Sequence, residues 1–297
     1  MGGEVKAPGS VVTLAVVALK GFFMGAADVV PGVSGGTMAF ITGIYERLLA
    51  ALAAFDLHLL RLLRGRQFRQ AAAHVQLDFL LALGTGILVA VICLSGILHE
   101  LLQTQPSLVF AFFFGLVLAS VWAIGRQIPR WKKGVWAALM LGVAGGVAVT
   151  SVVPAEGSHS LVMLFVSGAI AISAMLMPGV SGAFILLVLG QYEYITGLLR
   201  QPLRSEALLG LGVFFLGCAC GIVVFSRVLR WWLSRSYAAA LAFLTGFMLG
   251  AVRTLWPWAV DEGNAAPFAA IVLWLCLGVV LVVGSVLAAH WKEKETV

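Results

Sequence analysis

Charge is what this 297-residue chain has least of: Asp, Glu, Lys and Arg make up 11% of it, against about 25% in a soluble domain. A chain so poor in charge, and 61% hydrophobic, has more apolar residues than a single soluble core could hold. That excludes a soluble globular protein and leaves an all-α polytopic membrane protein. Cysteine is scarce as well. Cys93, Cys218, Cys220 and Cys276 fall inside apolar runs with no Cys-x-x-Cys pair, and read as small buried thiols rather than disulfides or metal ligands. The five histidines share no spacing that would pair them on one helix face, so neither a metal nor a cofactor is expected. There is no Gly-Lys-Ser/Thr ending of the kind that cradles nucleotide phosphates. Ser226-Arg227 has no nearby histidine nucleophile, which argues against a lipid phosphatase and against an enzyme in general. A net charge of +6 would suggest a nucleic-acid partner in a soluble protein. Here the placement of the basic residues explains it better, and no nucleic acid is expected.

One stretch is present twice. Pro31-Gly32-Val33-Ser34-Gly35-Gly36 returns as Pro178-Gly179-Val180-Ser181-Gly182-Ala183. At the same offset Gly21 matches Gly168, Gly43 matches Gly190, Tyr45 matches Tyr192 and Glu46 matches Glu193. Proline lacks the amide a helix needs and glycine weakens a helix, so each copy reads as a break between two helical pieces. Broken helices at matching places in two halves are the sequence mark of a transporter's binding site.

A bilayer span takes about 20 apolar residues. The first half reads as runs at 11–30 and 37–55 around the break, a polar and basic stretch at 56–76, then runs at 77–98, 108–125 and 134–153. The second half repeats this with runs at 161–177 and 183–199 around its break, then 208–233, 238–255 and 267–289. Residues 10–153 and 158–290 therefore form two repeats within one membrane domain, 1–297. Each is a broken hairpin followed by three plain spans. A hairpin returns the chain to its starting side, so three further spans leave an odd number of crossings and invert the second repeat. With the N-terminus inside, basic residues crowd the inner loops, from Arg61–Arg69 to Lys292 and Lys294, and only Arg200, Arg204 and Arg253 lie outside. N-in and C-in follow. The stretch 56–76 could also lie on the membrane as an amphipathic helix. Gly21/Gly25, Gly142/Gly146, Gly217/Gly221 and Gly246/Gly250 have the small-x-x-x-small spacing of tightly packed membrane helices.

The breaks also supply chemistry. A helix starting near Thr37 aims its free amides and positive dipole end at the break, where they favour an anion. Gly35 and Gly36 admit a ligand close to the backbone, Ser34 and Thr37 add hydroxyls, and Ser181 and Gly182 repeat the arrangement. Entry from opposite faces would bring both tips together at mid-membrane. Charges within apolar runs are costly and mark function: here they are Lys20, Asp28, Glu46, Arg47 and Glu193. Lys20 could meet a phosphate or snorkel. Asp28, matched by Met175 in the second half, could bind a proton or sodium, or pair with Lys20 or Arg47. Glu46 reads equally well as a local partner of Arg47, and Glu193 requires a partner such as Arg200 or Arg253. These residues fit a lipid-phosphate flippase or a proton- or sodium-coupled transporter of a small solute or cation.

The stretch Gly25-Ala-Ala-Asp-Val-Val-Pro-Gly-Val-Ser-Gly-Gly-Thr37, with Gly43-Ile-Tyr-Glu46 and Met177-Pro-Gly-Val-Ser-Gly182, resembles the bacterial polyprenyl-phosphate transporter family (PopT) over essentially the whole chain. The resemblance implies a flippase in the bacterial cytoplasmic membrane, returning undecaprenyl phosphate to the inner leaflet for cell-envelope polymer synthesis. Its partners would be membrane lipid and the polyprenyl phosphate itself. It puts Ser34, Gly35, Gly36, Thr37, Ser181 and Gly182 on the family's repeated motif, without assigning individual phosphate ligands.

Overall fold

The computed structural model describes residues 11–30, 33–152, 159–200, 205–258 and 266–295, and among these every regular element is helical. In chain order they are α1 (Val11–Asp28), α2 (Gly35–Ile41), α3 (Tyr45–Ala53), α4 (Leu57–Arg64), α5 (Phe68–His74), α6 (Leu77–Thr104), α7 (Pro106–Gly125) and α8 (Lys133–Thr150). There follow α9 (Leu161–Leu176), α10 (Gly182–Val188), α11 (Tyr192–Arg200), α12 (Ser205–Arg235), α13 (Tyr237–Ala251) and α14 (Phe268–Glu295). Among the described residues, five helices are long and apolar enough to cross a membrane: α6, α7, α8, and the stretches Ala207–Arg235 and Tyr237–Leu255.

Each break is followed by a second one that the run pattern hides. The runs at 37–55 and 183–199 are not continuous helices. α2 stops at Ile41 and α10 at Val188, and α10 and α11 meet at 111°. Gly43 (φ 71°) and Gly190 (φ 64°) take the left-handed conformation that closes a helix. Around them Gly43 N donates to Phe40 O and Ile44 N to Ala39 O, and the same pair of bonds recurs from Gly190 to Leu187 and Gln191 to Leu186. The apolar run continues because both sides of the bend face apolar surroundings, so hydropathy alone cannot see it.

The helices pair along glycine seams: α1 on α6, α9 on α12, α8 on α13 and α7 on α14. All four small-x-x-x-small pairs lie in these seams. A Cβ at Gly21 would strike the Leu83 carbonyl, at Gly142 that of Phe243, at Gly217 that of Phe165 and at Gly246 that of Leu139. Backbones this close gain dispersion and shape fit, the terms that hold helices together in lipid. Two seams join the halves reciprocally. Gly115 and Gly278 interlock α7 with α14 as Gly246 and Gly142 interlock α13 with α8. One large hydrophobic cluster runs through most of the bundle, and two smaller ones lie around Leu164 and Ile195 and around Val180 and Ile185.

The cysteines are not the buried thiols expected. Cys93, Cys220 and Cys276 are exposed on the outside of the bundle, Cys218 is half-buried, and all four are free. Lipid is as apolar as a protein core, so an apolar run does not say which of the two a residue faces. The stretch 56–76 forms the elbow α4–α5, closed by Asp56, which caps α4 at Leu59 N and meets His74 at 3.1 Å. The Leu59 amide, then His74, hold the Asp56 carboxyl below its ordinary range.

Candidate functional site

The two breaks meet. Ser34 Oγ donates to the carbonyls of Met175 (3.1 Å) and Met177 (3.2 Å), and Gly179 N donates to Thr37 Oγ1 (3.0 Å). Tyr45 OH, fully buried, donates to Leu176 O at 2.8 Å. Three side chains from α2, α3 and the first break thus satisfy the orphan carbonyls at the C-terminus of α9 and one amide of the second break, which would otherwise lie unpaired in an apolar interior. Gly36 makes the contact possible: a Cβ there would sit 2.9 Å from Met175 O.

The short helix α2 is clamped at both ends by α1. Asp28 Oδ1 accepts from Gly35 N (2.7 Å) at its N-terminus, and Lys20 Nζ donates to Thr42 O (2.6 Å) at its C-terminus. Lys20 and Asp28 are about 12 Å apart along α1 and α2 is about 10 Å long, so the spacing fits. Each charge has the sign that its end of the helix dipole favours. Gly36 N donates to Ser34 Oγ (3.1 Å) and Thr37 N to Ser34 O (3.0 Å). The amides expected to face a ligand at the first break are therefore spent within the protein. Asp28 Oδ2, beside Gly35, is buried and has no hydrogen-bond partner among the described residues.

The second break is different. Met175 and Ser167 stand where the first half has Asp28 and Lys20, and the buried Ser167 hydroxyl has no hydrogen-bond partner among the described residues. Ser181 is 4% exposed, and its side chain forms no cap bond to α10. Among the described residues the amides of Gly182, Ala183 and Phe184 form no hydrogen bond, whereas their counterparts in α2 do. One break is locked and the other is open.

The remaining charges sit away from this junction. Arg47 donates to Gln76 Oε1 (2.7 Å) and lies 4.2 Å over the Phe79 ring, fastening α3 to α6. The Glu46–Arg47 pair is not formed, because adjacent helical residues do not face one another. Glu46 instead shares a cavity of about 310 Å³ with Arg230, Ser234 and Tyr237. Asp28 pairs with neither of its suggested cations: Lys20 is on Thr42 and Arg47 on Gln76. Arg253 donates to Thr150 Oγ1 (3.0 Å), Val147 O (3.3 Å) and Ser151 Oγ, not to Glu193, which is exposed. Arg227 donates to Ala53 O and Phe55 O, ending α3, and Ser226 Oγ to Val223 O. Among the described residues there is no cluster of metal-ligating side chains.

A sequence profile described as VCA0040-like, undecaprenyl phosphate translocase-like, matches residues 24–267. The chain belongs to that family. It is 40% identical over 240 residues to a Vibrio cholerae protein named polyprenyl-phosphate transporter, covering 81% of this chain and 77% of that one. A Staphylococcus aureus protein of the same name is 28% identical over 288 residues, covering 91% and 93%. No solved structure matches. The stretch that matches this translocase-like family contains Asp28, both breaks and Tyr45, and ends just before α14.

Two residues of the site have no warning in the motif itself. Tyr45 and Tyr192 are a matched pair in sequence, yet Tyr45 is buried at the junction while Tyr192 is exposed. Gln191, fully buried, meets His159 at 3.3 Å. A tyrosine inside an apolar run needs a partner for its hydroxyl, and that need was the available signal for Tyr45.

Proposed function

We propose that this chain moves a polyprenyl phosphate, undecaprenyl phosphate in the first instance, across the bacterial cytoplasmic membrane, and that the phosphate passes at the junction of the two breaks. The observation that carries the site is the asymmetry of that junction. Ser34, Gly35, Gly36 and Thr37 build a fixed scaffold, while Ser181 and the amides from Gly182 onward remain available to an anion in a place where water is scarce. Such donors replace the hydration that a phosphate loses on entering the membrane. Lys20 and Arg47 act on the protein rather than on the phosphate in this conformation. The family membership and the two relatives' names support the substrate class.

The chain acts as a transporter in this proposal, a reading supported by the family description and the relatives' names. Residues 10–153 and 158–290 are inverted repeats in this proposal, supported by the reciprocal α7–α14 and α8–α13 seams. Both termini are cytoplasmic. Gly65→Cys, in a chain without its native cysteines, is expected to resist labelling from outside the cell; efficient labelling would reverse the orientation.

The substrate reading is tested with purified protein in vesicles. Labelled polyprenyl phosphate should cross faster with protein than without, and the uncharged polyprenol should not be accelerated. Equal acceleration of both would mean that the phosphate is not recognised. Acceleration of neither, with ion-driven uptake of a small solute, would favour the coupled-solute reading.

A further inference from the structure

We propose that the crevice between α6 and α7 receives the isoprenoid chain of the substrate while its phosphate is at the junction; this rests on the transport reading above. α6 packs along α1 and α7 along α14, so the two consecutive helices diverge from their turn at Thr104–Pro106. Between them lies a cavity of about 340 Å³. Its walls include Phe22 and Ala26 of α1, Leu94 and Ile97 of α6, Phe112 of α7 and Trp274 of α14. No charged, hydroxyl or amide side chain lines it.

The occupant follows from the lining and from what the crevice adjoins. A peptide would leave its backbone N–H and C=O groups unpaired there, and a polar solute would lose its hydration without replacement. A hydrocarbon chain loses nothing. Ile97 and Trp274 are 56% and 39% exposed, so a chain can enter sideways from the lipid. At the inner end Ala27 and Met38 line the cavity, and these are the chain neighbours of Asp28 and Thr37. The apolar crevice therefore runs up to the polar junction, as a lipid with one phosphate and a long branched tail requires.

The test fills the crevice in the full chain with Leu94→Trp and Ile97→Trp together, both of which line the cavity from α6. Two probes are used in vesicles, undecaprenyl phosphate and the short geranyl phosphate. The rate for the long lipid should fall by about tenfold and that for the short one should stay within about twofold. Equal falls, or no fall, would overturn the crevice. A parallel readout needs no transport: a photoreactive polyprenyl phosphate should label α6 and α7, and excess phosphatidic acid should not displace it. Displacement by that excess of phosphatidic acid, or labelling elsewhere, would also overturn it. If wild-type protein moves neither probe, the transport reading fails, and the labelling still decides the crevice.

Discussion

Gly36→Leu is expected to lower polyprenyl phosphate transport by more than about tenfold while leaving most of the protein folded. The cause is steric and local. A Cβ at this position already lies 2.9 Å from Met175 O and 3.1 Å from Leu176 O, both backbone atoms. A leucine there must drive the two breaks apart and strip Met175, Met177 and Leu176 of the donors supplied by Ser34 and Tyr45. Overpacking of this kind costs about 1–3 kcal/mol. The halves remain joined through the α7–α14 and α8–α13 seams, which lie elsewhere, so the bundle should survive. Size-exclusion profile and thermal unfolding of the detergent-solubilised protein measure the fold, and vesicle assays measure transport. Equal loss of both would make the junction a plain turn that the fold needs.

Asp28→Asn should keep the fold and flatten the pH dependence of transport. Asparagine retains a side-chain oxygen to accept from Gly35 N, so the cap on α2 persists without the charge. What changes is Oδ2, buried beside Gly35 with no donor among the described residues. An ionised carboxylate with an unpartnered buried oxygen is costly, which makes this the position in the junction best suited to exchange a proton or sodium ion during transport. The second half has Met175 there, so coupling would belong to the locked break and phosphate binding to the open one. The rate ratio between acid and alkaline conditions is expected to shrink about fivefold or more in Asp28→Asn. Asp28→Ala, which also removes the cap, should in addition destabilise the protein by about 1 kcal/mol. A folded Asp28→Asn variant with unchanged pH and sodium dependence would leave Asp28 as a clamp alone.

The duplicated Pro-Gly-Val-Ser-Gly stretch made both breaks legible, and the glycine spacings marked three of the four interhelical seams, all but α7–α14, because proline and glycine act through backbone geometry that the sequence states directly. The bends at Gly43 and Gly190 were present as matched glycines, but unbroken hydropathy on either side masked them. Partners of charged residues were the least legible part. Arg47 turns to Gln76 and Phe79, and Arg253 to α8, because such pairings depend on which helices become neighbours. The same holds for the difference between the breaks. Ser34 and Ser181 are equivalent in sequence; what separates them is Lys20 and Asp28, whose counterparts Ser167 and Met175 carry no charge to hold α10.

The most direct measurement is the transbilayer movement of labelled undecaprenyl phosphate in vesicles holding Gly182→Leu beside the wild type. Gly182 lies at the start of α10, where an added Cβ would come 3.0 Å from Ala171 O, and a leucine would cover the amides that α2 has capped and α10 has not. Protein-dependent movement should be clear for wild type and reduced to the protein-free rate for Gly182→Leu at equal folded protein. Wild-type rates in a well-folded Gly182→Leu variant would contradict passage of the phosphate at the open break.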